Sequence, residues 1–203
     1  MVVDELYELL TDEERAIVDR DLKRLAPRRA GAPVPDGWEN RVPLVYPRFA
    51  KAGFGDRHAE FWRWVESIRK GEKPRPFAGF WPRGGAKSTS AEMGVTDLGV
   101  RGQRTYCLYV REIQPMADKS VSNIGALLES KEMERYYPEH ADRMIGKFGH
   151  SKGWKREQLR TSGGFTVEGI GLDVAARGIK LEDQRPDLIV FDDIDGKHDS
   201  RAT

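Results

Sequence analysis

Two segments hold the residue types that could bind and split a nucleotide. The first is Phe77-Ala-Gly-Phe-Trp-Pro-Arg83-Gly84-Gly85-Ala86-Lys87-Ser88-Thr89, and the second is Pro186-Asp-Leu-Ile-Val-Phe-Asp192-Asp193. Glycines in a turn let backbone N–H groups close on phosphate oxygens, and a lysine opening the next helix reaches the β- and γ-phosphates. A hydroxyl beside that lysine, here Ser88, can ligate Mg²⁺. Two carboxylates at a strand end supply the other half. Asp192 would hold the Mg²⁺ shell, and Asp193 would orient or deprotonate the attacking water. Alone, a Gly-Gly-Ala-Lys-Ser turn or an Asp-Asp turn says little. Together they spell a phosphate loop and its acidic partner.

The loop departs from the pattern G-x-x-x-x-G-K-[ST]: Trp81 stands at the first glycine position and Ala86 at the last. Gly84 and Gly85 can still form the anion-binding turn, with Ala86, Lys87, Ser88 and Thr89 completing the cradle. Beyond Asp193, the acidic run continues through Asp195, His198 and Asp199. A second metal site is one reading; their spacing fits no compact ligand set, and a solvated loop is the other.

Such a site needs strands that stop at it and helices that start at it. Phe77 to Trp81 reads as a short strand and Lys87 to about Leu98 as the helix after the loop. The β-branched and aromatic run Thr105 to Val110 reads as a buried strand, as do Phe165 to Ile170 and Leu188 to Phe191. A helix from Pro115 to about Glu132 carries Ala117, Val121, Ile124 and Leu128 on one stripe. Asp56 can N-cap another that ends at Gly71, with Phe61, Trp64, Val65 and Ile68 on one face. They read as core packing, the alternative being that one of the aromatics stacks on adenine near the phosphate loop. Alternating strands and helices predict an α/β fold with a mostly parallel sheet flanked by helices. Both Lys87 and Asp192 follow strand ends, where open sheets of this class bind ligands.

The N-terminal part differs. Residues 4 to about 25 read as helical, with Thr11 and Glu14 as a capping box. Pro27, Pro33, Pro35, Pro43 and Pro47 then crowd one stretch, which reads as a linker or an extended arm wrapped on the next unit. The expected division is residues 1–45 as a helical extension with a Pro-rich linker, and 46–203 as the core domain.

Composition sets outer bounds. The 203 residues are 38% hydrophobic and 33% charged, enough for one α/β core. No apolar stretch reaches the length of a membrane span, and the acidic N-terminus lacks the pattern of a signal peptide. The single Cys107 excludes an internal disulfide and a Cys-rich metal site, and a reducing cytoplasm is the simplest setting. With a net charge of +1, a nucleic-acid partner would have to be held by a local basic patch. Lys147-Phe-Gly-His-Ser-Lys152-Gly-Trp154-Lys155-Arg156-Glu-Gln-Leu-Arg160 is the segment that could supply one. Its cations with interleaved aromatics suit a sequence-independent backbone contact; a solvated turn before a strand is the other reading.

In several segments the chain resembles the tailed-phage terminase large subunits, the ATP-driven motors that package DNA. Trp-Pro-Arg83-Gly-Gly-Ala-Lys87-Ser88-Thr89 is similar to their deviant phosphate loop, which often carries an arginine four residues before the lysine. Gln114-Pro-Met-Ala-Asp-Lys is similar to the start of the helix after their second core strand. Arg160 to Gly178, followed by Arg185-Pro-Asp-Leu-Ile-Val-Phe-Asp192-Asp193, is similar to their approach to the acidic strand. The resemblance runs from about residue 45 to 200.

The resemblance implies a P-loop NTPase core of the additional-strand, RecA-like type, using ATP and Mg²⁺. By match to the family's motifs, Lys87, Ser88 and Arg83 contact phosphate, Asp192 serves Mg²⁺ and Asp193 is the catalytic carboxylate. Arg177 is a candidate phosphate-reaching arginine, or else a fold-supporting one. Implied partners are double-stranded phage DNA, the portal protein, the terminase small subunit and further copies in a ring, in the host cell cytoplasm. Many members carry Glu at the place of Asp193. Members also continue into further core strands and a nuclease domain, so the sequence is expected to be the ATPase portion alone, incomplete at its C-terminus. Another P-loop nucleic-acid ATPase of helicase type, or a nucleotide-binding remnant without turnover, are the alternatives.

Overall fold

The computed structural model describes residues 7–25, 30–51, 53–146, 149–174 and 184–195. In chain order the helices up to the candidate loop are α1 (Asp12–Leu25), α2 (Trp38–Val45), α3 (Pro47–Ala50), α4 (Asp56–Ser67) and α5 (Lys87–Val100). They are followed by β1 (Tyr106–Arg111), α6 (Gln114–Leu128), α7 (Lys131–Tyr136) and α8 (Pro138–Ala141). Strands β2 (Gln158–Arg160), β3 (Thr166–Gly171) and β4 (Leu188–Phe191) complete the described elements.

The architecture is α/β, a four-stranded mixed sheet flanked by helices, in the order β2-β3-β1-β4. Strand β1 runs parallel to both β3 and β4, whereas β2 is antiparallel to β3. Apolar β1 sits centrally because its Tyr106, Cys107, Leu108, Tyr109 and Val110 are all buried. Asp187 secures its start by accepting the N–H groups of Thr105 (2.8 Å) and Tyr106 (2.9 Å). Because β1, β3 and β4 are parallel, Arg111, Gly171 and Asp192 arrive at the same end of the sheet.

Two expectations about strands need correction. Residues 77–81 are not a strand but irregular chain, unpaired with the sheet. Phe77 and Trp81 turn instead onto Phe61 of α4, with ring centroids 5.5 and 6.1 Å apart, so their apolar surface is buried against a helix. Nor is β4 buried on both faces. It is one of the two edge strands of the described sheet, and Ile189 and Phe191, which share one face, are 52% and 61% exposed.

The α6 stripe behaves as the sequence suggests; on α4, which ends at Ser67 and not at Gly71, Trp64 is only partly buried and Trp62 takes its place in the core. Ala117, Val121, Ile124 and Leu128 are fully buried, and Phe61, Val65 and Ile68 line the core with Trp62 beside them. Thr11 and Glu14 form the capping box at α1, with the Thr11 N–H donating to Glu14 at 2.9 Å. The Pro-rich stretch is less extended than expected. Its residues 38–45 form α2, whose Trp38, Val42 and Val45 belong to the same core as α4, α5 and β1. Buried Arg41 ties α2 to α5 through Asp97 (2.9 Å) and to α4 through Glu66 (2.6 Å).

Helix α5 carries the candidate loop at its start and is buried along most of its length. Small residues make this possible. Gly99 lets the Phe165 ring lie where a Cβ would be only 2.5 Å away, and Gly94 does the same for Phe61 at 2.6 Å. No helix among the described residues is long and apolar enough to cross a membrane.

Candidate phosphate and metal site

The turn at 82–86 brings the chain from the aromatic cluster into α5. Gly85 N–H donates to the Pro82 carbonyl at 3.0 Å, closing a tight turn. Gly84 has φ +82°, which glycine adopts without strain, and a Cβ there would meet nothing within 4 Å. Ala86, the residue before α5, also takes the left-handed region at φ 56°, a cost of about 1–2 kcal/mol for a residue with a Cβ. No side chain caps α5. Among the described residues, nothing accepts the N–H groups of Ala86, Lys87, Ser88 or Thr89. Unpaired donors at the positive end of a fourteen-residue helix, beside an open glycine turn, fit a phosphate group.

The acidic half arrives from β4. Asp192 extends the parallel ladder by donating its N–H to Val110 at 3.0 Å, and is only 4% exposed. The chain then turns sharply, Asp193 taking φ 45°, a conformation aspartate tolerates. That turn sends the two carboxylates different ways. Asp192 Oδ2 accepts from Arg111 Nη1 at 2.6 Å and from the Tyr109 hydroxyl at 3.1 Å. Burial, then the Asp192 charge, holds the Tyr109 pKa well above its ordinary value, so the hydroxyl remains a donor. Asp193 points outward, pairs with Lys87 Nζ, and lies 3.7 Å from Arg111 Nη2.

The fold therefore brings Lys87 and Asp193 into direct contact across 106 residues of sequence. Ser88 is half-buried in the first turn of α5, and Arg83 is exposed in the loop. Hard oxygen donors at Asp192, Asp193 and Ser88 suit Mg²⁺, and Asp192 Oδ1 has no hydrogen-bond partner among the described residues. No group of three or more His, Cys, Asp or Glu side chains placed to hold a metal occurs among the described residues, so such an ion would depend on phosphate oxygens as well. Arg177 lies outside the described residues.

Several residues here escaped the sequence reading. Arg111 ends β1 at the same sheet edge as Asp192, and its position at the end of a predicted strand was the available signal. Glu92, one turn after Ser88, is 6% exposed and accepts both oxygens' bonds from Asn123 at 3.1 Å. Burial raises its pKa and the nearby Asp192 charge adds to this, while bonds from Asn123 and Ser120 oppose it. His58 touches the loop itself, its Nε2 lying 3.2 Å from the Gly85 carbonyl.

The basic segment lies along the β2 edge, apart from these groups. Lys152, Lys155 and Arg156 are exposed, and Arg156 pairs with Asp118 at 2.8 Å. Trp154 bridges to Leu159, and the Arg143 guanidinium lies over its ring at 5.0 Å. Lys147 falls outside the described residues. Comparison with family models, curated proteins and solved structures finds no match of any kind. Function has to be read from the site's own residues.

Proposed function

We propose that this chain binds ATP with Mg²⁺ at the 82–86 turn and the carboxyl end of β4, as the ATPase portion of a terminase-type DNA-packaging motor. The observation that carries the reading is the Lys87–Asp193 pair with Asp192 alongside, at the start of α5. A lysine amid unpaired helix N–H groups meets a strand end carrying two carboxylates there, across 106 residues of sequence.

In this reading the N–H groups of Ala86 to Thr89 and the Lys87 ammonium bind the phosphates, with Gly84 and Gly85 giving the chain room to approach. Ser88 and Asp192 hold the metal. Mg²⁺, when bound, neutralises charge on the β- and γ-phosphates and on the departing oxygen. Lys87 leaves Asp193 for phosphate, which frees the Asp193 carboxylate to orient a water for in-line attack. Arg83 and Arg177 are the candidates for stabilising charge on the transferring group. The whole assembly would work on double-stranded phage DNA in the host cytoplasm, with portal protein, small subunit and other copies as partners. Lys147, Lys152, Trp154, Lys155 and Arg156 are its candidate DNA contacts.

The test is binding and turnover in the purified chain. Wild-type protein should bind Mg·ATP, and Lys87→Ala should lose at least tenfold in affinity, the scale of one charge-assisted phosphate contact. Asp193→Asn should retain binding and lose phosphate release. Equal binding by wild type and Lys87→Ala would refute the site. Binding without any release by wild type would leave a nucleotide-binding role without turnover.

A further inference from the structure

We infer that His58, on a helix remote in sequence from the loop, is the positioning residue that locks the Gly85–Ala86 peptide with its N–H toward bound phosphate. The inference rests on the phosphate-binding reading above and names what sets that loop's geometry.

The Gly55 N–H donates to His58 Nδ1 at 3.2 Å. Nδ1 is therefore an acceptor, the neutral ring carries its proton on Nε2, and Nε2 donates to the Gly85 carbonyl at 3.2 Å. The ring cannot swing away easily. Trp81 packs edge-on to it at 5.0 Å and Phe54 at 6.2 Å, and Trp81 is itself held by Phe61. Gly85 is thus fixed at both ends, its N–H by Pro82 and its carbonyl by His58.

A planar trans peptide points its C=O and N–H in opposite directions. Anchoring the Gly85 carbonyl on α4 therefore turns the Ala86 N–H away from α4, where nothing among the described residues accepts it. If this peptide flipped, a carbonyl oxygen would face the phosphate instead of a donor. The left-handed Ala86 makes the need for a lock concrete, because a residue with a Cβ does not hold that conformation unaided. In a phosphate loop with alanine before the lysine, His58 supplies the restraint that loop sequence alone lacks.

Three variants of the full chain separate this role from a structural one. His58→Phe keeps the ring packing and loses both hydrogen bonds. His58→Asn keeps an acceptor for the Gly55 N–H and cannot reach Gly85. His58→Gln places an amide donor near the position of Nε2. Mg·ADP affinity should fall about five- to tenfold in the Phe and Asn variants and return to within about threefold of wild type in Gln. Amide resonances of Gly85 and Ala86 in the nucleotide-free protein should shift or broaden in the Phe and Asn variants alone. Wild-type affinity in folded His58→Asn and His58→Phe overturns the inference. If wild type itself binds no Mg·ADP, the phosphate-binding reading fails. The resonances then decide for His58: unchanged Gly85 and Ala86 signals in His58→Phe overturn it, and changed ones uphold the lock.

Discussion

Replacing Arg111 by glutamine should show how tightly the buried carboxylate of this site depends on a cation. The Arg111 and Asp192 side chains are 12% and 3% exposed, and their Nη1–Oδ2 bond is 2.6 Å. Removing one partner of a buried pair typically costs about 3–5 kcal/mol, because the other charge stays behind without compensation. Here the Tyr109 hydroxyl continues to donate to Asp192, which lowers the penalty. The 3.7 Å contact of Arg111 with half-exposed Asp193 adds less than about 1 kcal/mol. A loss of about 2–3 kcal/mol follows, a large share of a stability of about 5–15 kcal/mol. Urea denaturation at neutral pH measures it, with the slope against urea unchanged. Asp192→Asn alone should also destabilise, and the double variant should cost clearly less than the two single losses added together. Metal gives an independent reading of the same charge. Mg²⁺ at ten times its dissociation constant would restore about 1.4 kcal/mol to Arg111→Gln. Wild type should gain less, since Arg111 on Oδ2 already compensates much of the Asp192 charge. Strict additivity within about 0.5 kcal/mol in the double variant would show the pair to be uncoupled and sink the reasoning.

Two further outcomes follow from the same elements. Gly99→Ala puts a Cβ 2.5 Å from the buried Phe165 ring, so overpacking of about 1–3 kcal/mol should outweigh a helix-propensity gain of about 1 kcal/mol. Gly125→Ala on α6 meets only the tip of Leu159 at 3.3 Å and should be neutral or stabilising; thermal unfolding that ranks the two variants the other way contradicts the packing of α5. Glu92→Gln tests the buried carboxyl by pH. Because burial raises the folded pKa, ionising Glu92 costs stability as pH rises from its unfolded value of about 4.3 through the folded one. The stability of Glu92→Gln relative to wild type should therefore climb over that window and level off above it, and a flat difference would show Glu92 to be free of that burden.

The parts of the fold that were readable in the sequence are those fixed by local pattern. The α6 stripe, the Thr11–Glu14 box and the limits of β4 depend on period and on neighbouring side chains, which a sequence displays. Helix α2 was hidden by proline count. Trp38, Val42 and Val45 already have the i, i+4, i+7 spacing of a buried face, and Pro43 sits in a helix too short to lose much by one missing N–H. In the sequence Arg111 is only a charge following an apolar strand. Its role depends on the parallel pairing of β1 with β4, which only the fold provides. The strand reading of Phe77 to Trp81 failed for the complementary reason. An aromatic, short apolar run satisfies a helix face as well as a sheet, and α4 offered Phe61 and Trp64 to pack against.

That substitution changes what holds the candidate loop. A phosphate loop is usually suspended between a strand and a helix, so the sheet itself fixes its entry. Here the entry is fixed by rings, with Trp81 against His58 and Phe61, and only the exit is fixed by α5. The carboxylates hang from a different support, the β1–β4 ladder that carries Asp192 through its bond to Val110. The two halves of the site thus rest on separate elements. Lys87 and Asp193 form their direct side-chain tie, and both are partly exposed, so the tie itself adds little stability. Under the proposed nucleotide reading, a weak tie between two well-supported halves leaves Lys87 free to change partner. The lysine can exchange a carboxylate for a phosphate while Asp192, Arg111 and the helix behind Lys87 stay where packing has put them.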